Sequence, residues 1–477
     1  MTTAVVIGGS VSGLATALAL SDAGHQVRIL ERHATPPPDT VELAHSDWNR
    51  PTVPQAVHSH AFASLGCNLI QDRAPDVYAA LLDAGAAEIR LGERMPPTLS
   101  DRSPQPGDEE LLMLGCRRTT FETVLRREVV RRPGVRVELD STVRALELSR
   151  NGTSRVAGVR TDDGRVVEGD IVVDASGRRT AASRWLADAG LPSAEPATDS
   201  ADITYYTRFY RQLVDAPPGP LNRGFGAGGL WGHYTAVLFV GDNGTFSISI
   251  GVLPDDAPMK ALRFEPAFTA ALRATPLLAP WLAPGVSQPI SKVHAMAGLD
   301  NSLRRSAGAP PVAGFFSVGD SACTTNPAYG RGVSLALAHA YRLVDVLAEH
   351  PDVTGEQAAA WSRETERLLG PWFAEAVQND RGRAALWRST VAGQQPPQPP
   401  PGVVTFGAVA QAAATDPVVW RRLVRVMMAL DPPETVYRDD EVRERVGRAL
   451  AGGPGGPGGP PAPSRPELVD VVAAATG

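Results

Sequence analysis

The N-terminal stretch "VVIGGSVSGLATALALSDAGHQVRILER", residues 5–32, constrains the fold of this chain more than any other. Its pattern predicts a short buried strand over 4–7, a sharp turn at Gly8, and a helix that can lie close to the strand because of Gly13. Ser10 stands where the second glycine of the dinucleotide-binding fingerprint usually lies. A second strand then ends at Glu31. This order of elements predicts a Rossmann-like α/β unit.

The same stretch predicts a ligand. Free N–H groups at the start of the helix, together with the helix dipole, attract a pyrophosphate. Glu31 follows the glycines by about twenty residues, where an acidic side chain accepts a hydrogen bond from a ribose. We therefore expect an adenine dinucleotide here. A second match to the glycine string, "GFGAGG" at 224–229, does not follow a buried strand, and we predict a flexible loop for it.

The composition argues against several classes of function. The 477 residues suffice for two or three domains, and the net charge of −6, without a long basic run, argues against a nucleic-acid partner. The cysteines Cys67, Cys116 and Cys323 are too few and too far apart for a disulfide framework or a metal site. We therefore expect no metal and a reducing, cytoplasmic location. No apolar run is long enough to span a bilayer, and residues 1–3 lack the basic side chain of a signal peptide.

Two later stretches bear on which dinucleotide is bound. In "FFSVGDSACTTNPAYGRGVSLALAHAYRLVDVL", residues 315–347, a short apolar strand ends at Gly319 and Asp320, and a loop then leads into a long helix. In "DIVVDASGRRTAASRWLADAG", residues 170–190, a strand ends at Asp174 before a turn of small residues. Both patterns place polar groups at the carboxyl end of a strand, where ligands bind in open α/β sheets.

With these motifs, the chain resembles the class A flavoprotein monooxygenases, which have the para-hydroxybenzoate hydroxylase type of fold. The resemblance covers about residues 4 to 350. It implies FAD as the cofactor, with Asp320 holding the ribityl chain or ribose and the loop from Pro327 to Gly332 lying along the isoalloxazine ring. The helix start that follows would face the pyrimidine carbonyl of the flavin, where it stabilises the negative charge of the reduced ring.

Within that superfamily the chain is most similar to the flavin-dependent epoxidases of polyether biosynthesis. The residues that carry this similarity are "RPTVPQAVHSHAF" (50–62), "GCRRTTFETVLRRE" (115–128), "DASGR" and "NPAYGRG". The resemblance places Arg50 and Arg118 near the cofactor and Gln55 at the flavin edge. His58 and His60 would face one side of an extended segment, but two histidines without a third ligand make a poor metal site.

Together, these patterns define the candidate site. The candidates for a catalytic or substrate-contacting role are Gln55, His58 and Arg331, although the sequence names no definite catalytic residue. The expected cofactor-binding residues are Gly8, Ser10, Gly13, Glu31, Arg32, Arg50, Gln55, Arg118, Asp174, Gly319, Asp320, Pro327, Gly330, Gly332 and Val333.

The expected fold class is α/β: a Rossmann-like FAD-binding domain of the GR2 type, an antiparallel substrate-domain sheet, and C-terminal helices. We expect the FAD-binding domain at 1–192, with excursions toward the substrate domain near 70–115, and again at 301–350. The substrate domain would span 193–300, with a hairpin turn at Asp242–Gly244. Its aromatic residues could line a pocket or, as we favour, form ordinary core: Tyr206, Phe209, Trp231, Phe239 and Phe246.

The C-terminal part divides into helices at 351–450 and a flexible Gly/Pro-rich tail at 451–477. The stretch "QQPPQPPPG" at 394–402 predicts a stiff linker between the helices. The last residues, "RPELVDVVAAATG", suit either a short docking helix or a frayed tail.

Three reactions are compatible with FAD on such a fold. The resemblance implies a monooxygenase that transfers one oxygen atom from O₂, through a flavin C4a-hydroperoxide, to a hydrophobic secondary-metabolite intermediate, by epoxidation or ring hydroxylation. The electron source would be NAD(P)H or reduced flavin from a partner flavin reductase. The alternative is reduction or dehydrogenation without oxygen insertion, as in geranylgeranyl reductases. Halogenation, which on a similar fold uses a lysine near the N-terminal third and a paired-tryptophan motif, is disfavoured. The only lysines are Lys260 and Lys292, so none lies in that third, and no two tryptophans are two residues apart.

Overall fold

A computed structural model describes residues 2–149, 155–193, 195–304, 310–398, 402–451 and 461–476. Within those residues, no helix combines the length and the apolar character needed to cross a membrane. The strands are short, and the bounds of all of them, in chain order, are β1 (Thr3–Ile7), β2 (Gln26–Leu30), β3 (Ala87–Arg90), β4 (Leu112–Gly115), β5 (Val135–Glu138), β6 (Val143–Leu148), β7 (Val156–Thr161), β8 (Val166–Glu168), β9 (Ile171–Asp174), β10 (Ala197–Ser200), β11 (Thr204–Gln212), β12 (Gly226–Leu230), β13 (Thr235–Val240), β14 (Thr245–Val252), β15 (Ser287–Pro289), β16 (His294–Met296), β17 (Asp300–Leu303), β18 (Phe315–Ser317) and β19 (Cys323–Thr324).

The helices surround the sheets and continue to the C-terminus. Their bounds are α1 (Val11–Asp22), α2 (Val41–Ser46), α3 (Ser64–Arg73), α4 (Pro75–Asp83), α5 (Arg118–Arg131), α6 (Ala182–Asp188), α7 (Glu265–Arg273), α8 (Gly332–Glu349), α9 (Gly355–Val391), α10 (Phe406–Ala413), α11 (Pro417–Met427), α12 (Glu434–Tyr437), α13 (Asp440–Ala451) and α14 (Arg465–Ala474).

A parallel sheet in the order β18-β9-β1-β2-β5 forms the first layer. The apolar run Ala4–Ile7 lies in its middle strand, where both faces are covered. Helices α1 and α8 pack together on one face, and their buried leucines and alanines join the same core as the strand residues. The predicted strand, turn, helix and strand over residues 4–31 are confirmed.

An antiparallel sheet in the order β12-β13-β14-β11-β15 forms the second layer, with β16 also paired to β11. The hairpin predicted at Asp242–Gly244 joins β13 to β14. Side chains alternate between the two faces of the sheet. Tyr206 and Phe246 pack in the core beneath α7, whereas Phe239 packs against the C-terminal helices.

The prediction of a flexible loop at 224–229 is wrong. Residues from Gly226 onward form β12, which pairs with β13 along its length. A Cβ on Gly226 would lie 1.9 Å from the carbonyl oxygen of Leu238, and one on Gly228 2.0 Å from that of Ala236. The glycines in this string therefore let two strands approach closely, which is an established use of glycine in strands.

The C-terminal helices lie over the side of the molecule that the preceding helices leave uncovered. The helix α9 contacts both sheets, and α10 to α13 pack beside it in one apolar cluster. The tail ends in α14, whose Leu468 and Val472 are buried against the helix α7, so the docking-helix alternative is correct for these residues. Residues 452–460 of the Gly/Pro-rich tail lie outside the described residues, as do 399–401 of the predicted linker.

A small antiparallel sheet, β10-β17-β19, joins the two layers. The strand β10 begins soon after residue 192, and β17 begins at residue 300. The division of the chain into domains at these positions stays a prediction.

Candidate functional site

A deep cleft opens at the carboxyl ends of β1, β9 and β18, where open α/β sheets bind their ligands. Four stretches of chain contribute most of its lining: residues 10–12, 52–61, 175–179 and 319–336. Each of these four stretches consists of a loop or the start of a helix, because it follows a buried strand or leads into a helix. The predicted site residues that line the cleft are Ser10, Arg32, Gln55, His58, Arg118, Gly319, Asp320, Pro327, Gly330, Gly332 and Val333.

The start of α1 forms one end of the cleft. Gly8 has a φ of +103°, and a Cβ there would lie 2.6 Å from the carbonyl oxygen of Ala175. Gly13 does not line the cleft; a Cβ at Gly13 would lie 1.8 Å from the carbonyl oxygen of Gly8. Ser10 occupies the N-cap position without capping the helix. In the described chain no side chain caps α1, so its first N–H groups can bind an anion.

A buried charge cluster supports that helix start. Glu122 accepts hydrogen bonds from Arg50 Nη1 at 2.6 Å, from Ser10 Oγ at 3.0 Å and from Arg118 Nε at 3.2 Å. Burial opposes ionisation of Glu122, but the charges of Arg50 and Arg118 outweigh it and hold its pKa below the usual value. Arg118 also donates from Nη2 to Ser10 Oγ at 3.1 Å. This cluster orients Arg118 at the cleft.

Arg50 lies behind the cleft and does not line it. Its guanidinium stacks on the Trp48 ring at 4.3 Å and pairs with Glu122. Its Nε and Nη2 atoms are buried and have no hydrogen-bond partner among the described residues. Such unpaired donors are costly, so this face of the cluster is suited to an additional acceptor.

A side pocket extends the cleft past the ends of β1 and β2. It is lined by Gly8, Glu31 and Arg32 and by the indole of Trp185. Glu31 accepts hydrogen bonds from the N–H groups of Gly9 at 2.7 Å and His33 at 2.8 Å, so it also shapes the turn. The Nε1 of Trp185 is buried and lacks a partner in the described part of the chain. The pocket therefore offers both an acceptor and an unused donor to a nucleoside.

Asp174, expected among the cofactor-binding residues, does not line the cleft or the side pocket. It is fully buried, and its carboxylate accepts hydrogen bonds from Ser176 Oγ at 2.6 Å and from Thr180 Oγ1 at 2.5 Å. Burial raises its pKa, which these hydrogen bonds oppose. The carboxylate shapes the "DASGR" turn, and the following residues of that turn line the cleft instead.

The other end of the cleft is formed by residues 319–333. Gly319 has a φ of +66°, and its N–H donates to His339 Nδ1 at 3.2 Å. Asp320 follows, and burial raises its pKa against the opposing charges of Arg118 and Arg178. The helix α8 begins at Gly332, and in the described chain no side chain caps its first amides. Two helix N-termini therefore face the cleft from its two ends.

The histidines His58 and His60 both line the cleft but contact different elements. His58 Nδ1 lies 2.9 Å from Thr207 Oγ1, on the antiparallel sheet. His60 Nδ1 donates to the carbonyl oxygen of His58 at 3.0 Å, so its Nε2 is the acceptor that faces Arg118 at 3.4 Å. Burial lowers the pKa of each ring to about 3. Both histidines are therefore neutral at physiological pH.

Arg331, a predicted catalytic candidate, does not line the cleft. Its guanidinium lies between the rings of Tyr329 and Trp372, 4.6 Å from each, and forms an ion pair with Glu375. It donates to the carbonyl oxygen of Trp372 at 3.2 Å. These contacts fix Arg331 to the helix α9. Gln55 and His58, the other two candidates, do line the cleft.

Several residues that the sequence analysis missed hold the site in place. Glu122 lies one turn after Arg118 on α5, a spacing that could have marked it as a partner. His339 acts from the helix α8 and Asp380 from α9, and no local pattern in the sequence identifies them. The cleft also has an apolar side formed by Met296, Leu299 and Leu369.

The residues present fit a dinucleotide. Uncapped amides lie at both ends of the cleft, Arg118 is held beside one of them, and the side pocket offers polar partners for a nucleoside. Bulk at Gly13 would fill the space between the turn and the first helix, and bulk at Gly8 would meet the backbone of Ala175. This agrees with the ligand class expected from the sequence.

Comparison with known sequences gives two matches. The family model for tryptophan halogenases matches residues 115–189, which run from the end of β4 through α6. The chain is also 28% identical, over 482 residues, to protein Rv3254 of Mycobacterium tuberculosis, with 94% of this chain and 93% of the relative covered. The halogenase match covers part of the parallel-sheet domain and excludes both lysines of the chain.

Comparison with solved structures identifies the fold. A flavoprotein/dehydrogenase from Cytophaga hutchinsonii superposes with a TM-score of 0.62 at 15% identity, covering 94% of this chain and 99% of that one. The protein pqsL, a probable FAD-dependent monooxygenase from Pseudomonas aeruginosa, superposes with a TM-score of 0.58 at 13% identity, covering 82% and 98%. The predicted fold class is confirmed, and the resemblance is confirmed at the level of the fold, whereas the similarity to the epoxidases stays a prediction. The chain has the fold of these flavoproteins.

Proposed function

We propose that this protein is an FAD-dependent oxidoreductase of the monooxygenase type. The observation that carries the proposal is the cleft with an uncapped helix N-terminus at each end, α1 and α8. The first suits a pyrophosphate, and the second suits the negative charge of a reduced flavin ring. When bound and reduced by an electron donor, FAD would supply the electrons that activate O₂.

The chain's own residues then have separate tasks. The turn at Gly8 and the start of α1 would bind the pyrophosphate, with Arg118 beside them. Glu31 and Arg32, which line the side pocket, would bind the adenosine, and Asp320, which lines the cleft, would accept hydrogen bonds from the ribityl hydroxyls. The loop and helix start that contain Pro327, Gly330, Gly332 and Val333 would hold the flavin ring.

The substrate is a hydrophobic small molecule. Met296, Leu299 and Leu369 supply the apolar wall that excludes water from the reacting atoms. His58 and Gln55 lie on the same cleft, and the neutral ring of His58 can orient a polar group of the substrate by hydrogen bonding. Alkene epoxidation and ring hydroxylation both suit this arrangement, because a positioned hydrophobic substrate is their main requirement.

A reductase or dehydrogenase that inserts no oxygen is the second candidate. The structural likeness to a flavoprotein/dehydrogenase favours it, and the cleft would bind the same cofactor. Halogenation is less suited to this chain. Neither Lys260 nor Lys292 lines the cleft among the described residues, and the halogenase match covers a cofactor-domain segment alone.

Electrons come from NAD(P)H directly or from reduced flavin supplied by a partner reductase. The test that separates the candidates is turnover of a panel of polyenes and phenols under ¹⁸O₂, with NADPH plus a flavin reductase as electron source. A monooxygenase places one ¹⁸O atom in the product and consumes O₂ in step with substrate. Equal turnover of the substrate without oxygen, with an artificial electron acceptor, would contradict the monooxygenase proposal and favour the dehydrogenase.

A further inference from the structure

Asp380, in the helix α9, lies beneath the loop 326–330 and is 1% exposed. One of its carboxylate oxygens accepts hydrogen bonds from Asn326 Nδ2 at 2.6 Å and the Tyr329 hydroxyl at 3.1 Å. The same oxygen accepts from Arg383 Nη2 at 3.3 Å, and the other accepts from Asn301 Nδ2 at 2.8 Å. All four partners are donors, so this position matches an ionised carboxylate.

Asp380 fixes the orientation of two buried amides. Asn326 Oδ1 accepts from the Tyr205 hydroxyl at 2.8 Å and from Ala328 N–H at 3.0 Å. Asn301 Oδ1 accepts from the N–H of Asn326 at 2.8 Å. Because Asp380 binds the Nδ2 of both asparagines, each Oδ1 must face its own donor. Turning either amide over would place donors against donors in a buried site, at considerable cost.

The loop is thereby attached to α9 at both ends. Asn326 and Tyr329 bind Asp380, and Arg331, just after the loop, forms the ion pair with Glu375. Glu375 and Asp380 lie five residues apart on α9. The loop between the two attachments lines the cleft, whereas Asp380 itself does not.

We propose that Asp380 is a positioning residue that, through Asn326, holds the loop 326–330 against the flavin ring. The proposal rests on the proposed function, which places the ring along this loop. The helix α9 begins at Gly355, beyond residues 4–350 that carry the resemblance to the monooxygenases. The C-terminal helical region therefore has a direct part in shaping the cofactor site, in addition to covering the sheet.

The test uses the full chain with Asp380→Asn, which replaces one acceptor oxygen by an NH₂ group facing donors. We expect the dissociation constant for FAD to rise about tenfold or more, since the buried donors would no longer hold the loop in one position. We also expect the visible circular dichroism of the bound flavin to change, because the ring loses its fixed neighbour. A residue that acted on global stability alone would not change that spectrum at a temperature where the protein is folded.

The matched control is Arg381→Ala on the next residue of α9. Arg381 forms an exposed ion pair with Asp199 and does not line the cleft. We expect FAD affinity within about twofold of the parent and an unchanged flavin spectrum, because exposed pairs contribute little. The double variant Asn326→Asp with Asp380→Asn restores a donor–acceptor pair in the reverse sense and should recover part of the lost affinity.

The possible outcomes are distinct. FAD affinity within twofold of the parent and an unchanged spectrum for Asp380→Asn would overturn the proposal. If Asp380→Asn does not fold, Tyr329→Phe decides, because it removes one donor and leaves the carboxylate in place. A rise in the dissociation constant for FAD that is smaller than the one expected for Asp380→Asn supports the proposal, and an unchanged dissociation constant overturns it. Failure of the parent protein to bind FAD would instead refute the proposed function.

Discussion

The α-carbon of Gly13 lies so close to the carbonyl oxygen of Gly8 that a methyl group added at Gly13 would sit 1.8 Å from that oxygen. Two non-bonded heavy atoms cannot lie this close together, so any side chain at Gly13 must push α1 away from the turn. The contact therefore fixes the direction in which the first amides of α1 point.

Gly13→Ala should abolish FAD binding, with a dissociation constant at least about a hundredfold higher, because the displaced amides no longer converge on the pyrophosphate. Equilibrium titration with FAD checks this. Gly382→Ala is the control, since a Cβ there meets nothing within 4 Å. In a helix interior that change should leave FAD binding unaltered and stabilise the protein by about 0.5–1 kcal/mol. Unaltered binding in Gly13→Ala would show that α1 does not bind the cofactor.

Glu122→Gln should lower the free energy of unfolding by about 3–5 kcal/mol, because two buried arginines then lose their common counter-charge. Urea unfolding measures this change. Glu128→Gln on the same helix is the control, since its partner Arg131 is 71% exposed and such pairs contribute at most about 1 kcal/mol. Similar losses of unfolding free energy in the two variants would mean that the buried Arg50–Glu122–Arg118 cluster stabilises the protein no more than an exposed ion pair does.

Asp320→Ala should weaken FAD binding by about ten- to a hundredfold, because ribityl hydroxyls would lose their acceptor in a buried site. Asp320→Asn keeps one acceptor oxygen and should lose less than about tenfold. The protein-bound flavin absorbance after gel filtration gives the comparison. A purified Asp320→Ala protein as yellow as the parent would contradict the assignment of Asp320.

Stability should fall as the pH is lowered from 7.5 to 5. Burial lowers the pKa of His58, His60 and His339 to about 3, whereas the unfolded chain protonates histidine near pH 6.5. Between these values the unfolded state binds more protons, so stability is complete above pH 6.5 and is lost as the pH falls toward 3. At pH 5, protonation of each of these histidines in the unfolded chain lowers the free energy of unfolding by about 2 kcal/mol relative to its value above pH 6.5.

His339→Asn should reduce this pH dependence. In the parent, His339 Nδ1 accepts from Gly319 N–H, and Nε2 lies 3.0 Å from Thr365 Oγ1. Asparagine can keep the first hydrogen bond but does not titrate. The loss of unfolding free energy between pH 7.5 and 5 should shrink by about 2 kcal/mol. An unchanged loss would indicate that His339 has the same pKa in the folded and the unfolded protein.

The parts of the fold that the sequence predicts are the local ones. Residues 4–31 and the hairpin at Asp242–Gly244 each contain their own strand, turn and packing signals, and the structure forms both. The string at 224–229 fails because its glycines serve the approach of a partner strand, Thr235–Val240. Nothing within the string reveals that the partner exists.

The predictions for the residues of the candidate site likewise succeed at some positions and fail at others. The motifs around Ser10, Asp320 and Gly332 put the expected residues on the cleft, because each is fixed by its own strand or helix. Asp174 is directed elsewhere by Thr180, six residues further along its own turn, whereas Arg331 is directed by Glu375, which lies beside it only in three dimensions. Long-range partners of this kind cannot be identified from one sequence.

The most direct measurement is a titration of the purified full-length chain, stripped of any bound flavin, with FAD and, separately, with FMN. We expect one FAD per chain with a dissociation constant in the micromolar range or below. We also expect much weaker FMN binding, because FMN lacks the pyrophosphate and adenosine that the start of α1 and the side pocket would bind. A protein that takes up no FAD, or that binds FMN equally well, would contradict the assignment of FAD to this cleft.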